Sequence, residues 1–104
     1  MKKYCIALST FASKEQAQGV IDKILEEKLA ACIQVLDIKS HYMWEGSVCH
    51  DDEVLILFKT SWDMYEELEQ RIKELHPYDT PEIIAIDIEK GYKGYLDWID
   101  EVTS

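Results

Sequence analysis

The chain has 104 residues, close to the usual size of one domain, and its 47% hydrophobic and 31% charged content is that of a globular protein rather than a disordered or fibrous one. Its 21 acidic against 11 basic residues give a formal net charge of -10, which opposes binding to nucleic-acid phosphates and anionic membrane surfaces and draws cations to the exterior. The uninterrupted apolar runs, Tyr4 to Leu8 and Val54 to Phe58 among them, reach no more than five residues, far below the roughly 20 that a membrane-crossing helix needs.

At the N-terminus Met1, Lys2 and Lys3 resemble the start of a signal peptide, but Ser9, Thr10, Ser13, Lys14 and Glu15 cut the apolar stretch short and no small-residue cleavage site follows. A cytoplasmic protein is the expectation. Cys5, Cys32 and Cys49 are odd in number and lack CxxC spacing, so they signal neither a disulfide framework nor a zinc ribbon. Cys5 and Cys32 lie within apolar runs and read as small core residues.

Tyr4 to Thr10 is apolar, short and bounded by polar residues, which predicts a first strand. Ser13 stands three residues before Gln16, the spacing of a capping box, and Ala17, Val20, Ile21, Ile24 and Leu25 recur with helical period. A helix from about Lys14 to Lys28 follows. Ala31 to about Trp44 predicts a long second strand and Ser47 to Thr60 a third, joined into a long hairpin by a turn at Glu45 and Gly46. Thr60 and Asp63 are spaced like a helix start, and Tyr65, Leu68, Ile72 and Leu75 form one apolar stripe. That second helix ends near His76, since Pro77 cannot continue it. Ile83 to Ile88 predicts a fourth strand, and Tyr95, Leu96, Ile99 and Val102 a short terminal helix.

The order βαββαβ with an added C-terminal helix is the α+β, ferredoxin-like split βαβ arrangement, over residues 1–104 as one domain: an antiparallel sheet with both crossover helices on one face. Such a sheet, wet on its other face, should alternate apolar with polar residues. Val54 to Phe58 and Ile83 to Ile86 are apolar on both faces. A terminal helix of roughly ten residues spans only about 15 Å and cannot cover four strands. A homo-oligomer is therefore expected, with a second copy covering the face; the alternative is burial completed within one chain by the terminal helix and loops.

Successive segments strengthen this reading: Ser9-Thr10 closing the first strand, Leu29-Ala30-Ala31-Cys32, Tyr42-Met43-Trp44-Glu45-Gly46, Glu53 to Thr60, and His76-Pro77-Tyr78-Asp79-Thr80-Pro81-Glu82-Ile83-Ile84. In this order, over nearly the whole chain, they resemble the CutA family of divalent-cation tolerance proteins. The resemblance implies a ferredoxin-like fold assembled as a homotrimer, with the hairpin arms extending each sheet into its neighbour. It also implies a part in tolerance of divalent metals, with copper or another divalent cation as the bound species.

His76, Tyr78 and Glu82 lie within seven residues on a loop bounded by Pro77 and Pro81, whose fixed backbone suits a site that aims polar side chains. The family's motifs add Trp44, Lys59 and Thr60 as further members of a pocket between subunits. A structural role for His76 and Tyr78, capping the second helix, is the alternative. Where some relatives carry extra Cys or His near strand one and before the His-Pro-Tyr motif, this chain has Ser9 and Leu75. Catalysis is not expected. The four glycines are scattered, no HExxH or GxSxG motif occurs, and Cys49 and His50, adjacent on a strand, point to opposite faces. A signalling module resembling PII proteins only in fold, or a purely structural scaffold, are the competing functions.

One metal site follows from the hairpin itself. If Glu45 and Gly46 are the central turn residues, counting back along the strands sets His41 directly opposite His50, with Met43 and Asp52 on the same face. Two imidazoles beside a thioether and a carboxylate suit copper or another late transition metal. His76 is the other metal candidate, and two solvated histidines on an exposed arm are the plain alternative.

Overall fold

A computed structural model describes residues 2–104. Among them the order is β1 (Tyr4–Phe11), α1 (Lys14–Glu26), β2 (Cys32–Trp44), β3 (Ser47–Ser61), α2 (Trp62–Leu75), β4 (Ile83–Asp87) and α3 (Lys93–Thr103). The strands form one antiparallel sheet in the order β2-β3-β1-β4.

Alternation along the strands separates two faces. Val54, Ile56 and Phe58 of β3 are buried with Ala7 and Phe11 of β1 against Ala17, Val20, Ile21 and Ile24 of α1 and Leu68 and Ile72 of α2. Each large side chain buried here contributes about 1.5–3 kcal/mol relative to exposure. The opposite face carries Leu36, Ile84 and Ile86, which are 52%, 51% and 56% exposed. Only part of that face is covered by α3, through buried Ile99, Tyr4 donating to Asp100, and the Lys59 ammonium 5.6 Å from the Tyr95 ring centre.

Local departures from the predicted boundaries have local causes. At the start of α1 the Gln16 amide donates to Ser13 Oγ at 3.2 Å as predicted, but Gln16 Oε1 accepts from the Ala12 amide, one residue outside the expected box. This helix stops at Glu26 rather than Lys28, because Lys28 turns to φ +60° and the amides of Lys28 and Leu29 return to the Leu25 and Ile24 carbonyls. Those two bonds are a Schellman ending, made here without glycine. Thr60 does not start α2. It lies inside β3, fully buried, donating to the Leu29 carbonyl at 2.8 Å, and Ser61 takes the N-cap position. β4 ends one residue before Ile88, although the Ile88 amide still donates to the Tyr4 carbonyl. Cys5 is fully buried, and burial pushes its thiol up to about 11, whereas Cys32 is half-buried beside α3.

The hairpin closes through two left-handed residues, Glu45 at φ +49° and Gly46 at φ +79°, the signature of a two-residue primed turn that matches strand twist. β1 pairs with β3 no further than Val54, so residues 47–53 of β3 pair with β2 alone. About 23 Å of two-stranded arm thus extends beyond the body. A ribbon of this kind is marginal on its own in water, and this one carries Met43, Trp44 and Val48 at 63–65% exposure.

Candidate functional site

The loop after α2 is pinned from both sides. His76 stacks on Phe11 with ring centres 4.2 Å apart, its Nε2–H donates to the Thr10 carbonyl at 2.8 Å, and its Nδ1 accepts from the Tyr78 amide at 3.1 Å. Those two bonds fix the neutral Nε2–H tautomer. Burial lowers the pKa of His76, with its bond to Thr10 opposing in part. Both ring nitrogens are occupied, so in this arrangement no imidazole lone pair is free for a cation. Tyr78 packs on the His76 ring and donates to Glu53 Oε2 at 3.3 Å, and Lys73 ties the loop to α2 through the Asp79 carbonyl. The Tyr78 phenol is raised, first by burial and then by the Glu53 charge.

Of the six pocket residues expected from sequence, the chain brings only His76 and Tyr78 into contact, with exposed Glu82 one residue before β4 at the same end of the sheet. Lys59 pairs with Ile6 and Thr60 with Cys5, about 13 Å and about 17 Å along β1 from the Thr10 level where His76 sits. Trp44 stands at the arm tip opposite Ser47, about 23 Å beyond Val54 in the other direction. The six occupy three levels of one protomer. An open groove of about 480 Å³ where the arm leaves the body is lined by Lys14, Asp37, Lys39, Asp52 and Glu53 among others, and by none of the six.

On the arm, the strand register sets His41 opposite His50, and their Nδ1 atoms are 3.1 Å apart. Asp52, on the same face, is paired with Lys39 at 2.9 Å. Tyr42 and Asp51, on the other face, bond each other, which pushes the Tyr42 phenol up to about 12. Among the described residues no three His, Cys, Asp or Glu side chains gather as a metal cluster, and no helix is long and apolar enough to cross a membrane.

The partners of the pinned loop were not legible in the sequence: Phe11, Thr10 and Glu53 reach it across 25 to 66 residues of chain.

Comparison with known proteins gives the arrangement a family. The model of the CutA1 divalent ion tolerance protein matches residues 5–102. The divalent-cation tolerance protein CutA of Pyrococcus horikoshii is 44% identical over 98 residues, covering 94% of this chain and 96% of that protein. A chloroplastic CutA of Arabidopsis thaliana is 38% identical over 95 residues, 90% of this chain and 52% of that longer one. Among solved structures, that of the Archaeoglobus fulgidus protein, described as its periplasmic divalent cation tolerance protein CutA, superposes with a TM-score of 0.94 at 39% identity, covering 97% of this chain and 99% of that one. With nearly its whole length matched in sequence and in fold, the chain belongs to the CutA1 divalent ion tolerance family.

Proposed function

We propose that the chain, as one ferredoxin-like domain, works as a homotrimer in the cytoplasm and serves tolerance of divalent cations by binding, not by catalysis, with a cation or small ligand held between subunits. The observation that carries this reading is the spread of the six pocket residues over three levels of a protomer whose sheet face and arm are left uncovered. Docking an arm along a neighbour's sheet brings Trp44 from one copy toward the Lys59 or His76 level of another. The same contact covers Leu36, Ile84 and Ile86. The names of the relatives support a cation as the species handled, and Cys5, Cys32 and Cys49, all free, suit a reducing compartment.

A thermal-shift screen of the assembled protein against copper(II), zinc(II), nickel(II) and a set of nucleotides tests the functional half. A ligand that binds only the folded state raises its stability by RT ln(1 + [L]/Kd). A midpoint that rises with metal concentration supports the reading; a rise with nucleotide alone favours a signalling module. No response to either set leaves a scaffold.

A further inference from the structure

We infer that the hairpin arm carries a binding site for a late first-row divalent cation, with His41 and His50 as its two protein ligands. The proposal rests on the cation reading above and adds to it a second site, within the arm of a single chain.

The first support is register. The turn at Glu45 and Gly46 pairs Trp44 with Ser47, and every pair back from it follows, so His41 and His50 face each other on one side of the ribbon. The second is distance. With 3.1 Å between the two Nδ1 atoms, a cation at the usual 2.0–2.1 Å from each nitrogen subtends about 95–100°. That angle lies between the square-planar and tetrahedral values, so copper(II), nickel(II) and zinc(II) are all accommodated without moving the backbone. Lacking a cation, the same contact is a hydrogen bond between the two rings.

The third support is the choice of face. Alternation puts Tyr42 and Trp44 on the side of the arm that continues the uncovered apolar face of Leu36, and His41 and His50 on the other side. Covering the apolar side leaves the histidines open to solvent. Neighbours on their side set the strength: Met43 offers a thioether toward the tip, whereas Asp52 is neutralised by Lys39. Cys49 is on the opposite side and takes no part. Two ligands, with water in the remaining positions, make a weak and exchangeable site.

The test is calorimetric titration of the assembled protein with copper(II), repeated with zinc(II), beside His41→Ala, His50→Ala, Cys49→Ser and Lys39→Gln. Each histidine variant should lose about tenfold or more in affinity. Cys49→Ser should bind as the parent does, and Lys39→Gln several-fold more tightly, through removal of a like charge and release of Asp52. With three histidines in the chain, imidazole nitrogen NMR gives a second readout, in which zinc(II) shifts His41 and His50 and leaves His76 in place. Parent-like affinity in both histidine variants overturns this site while cation binding elsewhere stands. Absence of binding by the parent overturns both.

Discussion

His76 shows how a residue can look like a ligand in sequence and act as a rivet in the fold. The residue is 8% exposed, and its ring is stacked and bonded at both nitrogens. The unfolded chain, where its pKa is the ordinary 6.5 or so, takes up a proton more readily than the folded one, in which burial holds the pKa lower. Its contribution is therefore complete above about pH 7 and is lost as the pH falls through about 6.5 toward the folded value. Urea unfolding at pH 7.5 and 5.5 should show a drop for the parent that is smaller in His76→Phe. The variant should also be less stable at pH 7.5 by about 1–3 kcal/mol, since it strips partners from Thr10 and Tyr78. Thr60→Val, which removes the buried bond to Leu29, should cost about 1 kcal/mol. Ser9 makes the contrast: its buried hydroxyl has no hydrogen-bond partner among the described residues, so Ser9→Ala should leave the urea midpoint unchanged or raise it. A structural role for His76 at the end of α2 was one of the two readings open from the sequence, and it takes the C-cap position there; its partners, and the roles of Thr60 and Ser9, were not legible, because periodicity reports which face a residue takes and not what its polar atoms meet across the fold.

At the scale of elements the sequence was far more informative, since helix and strand periods are local. The hairpin turn and the His41–His50 pairing were both expected from position alone, and the register bears them out. What missed did so at ends, where a single residue's dihedrals decide. Lys28 ends α1 with no glycine to announce it, and Thr60 is claimed by β3 because a buried bond to Leu29 outweighs its helix-start spacing. These elements offer two tests. Gly19 sits exposed within α1 with open space around it, so Gly19→Ala should stabilise by about 0.5–1 kcal/mol in a urea melt. Gly46→Val, forced to φ +79°, should destabilise the arm by about 1 kcal/mol or more. Faster amide exchange confined to residues 41–50 is the expected mark.

The whole molecule is defined by what it leaves open. The uncovered face and the arm share one side of the sheet, with Leu36, Ile84 and Ile86 leading on to Tyr42 and Trp44. Apolar runs on both faces of β3 and β4 foretold the first of these, but the length of arm free of β1 came only with the register. Copies that bury this side gain about 25 cal/mol for each square ångström of apolar surface removed from water. Unfolding of such an assembly depends on protein concentration, and the melting temperature should rise on concentrating the protein. Ile84→Glu with Ile86→Glu places two charges in the buried contact and should return a folded single chain. The most direct measurement is the mass of the parent by light scattering after size exclusion at micromolar concentration. A homotrimer gives three times the 12.1 kDa of one chain; a mass of one chain would contradict the assembly, and with it a site shared between subunits.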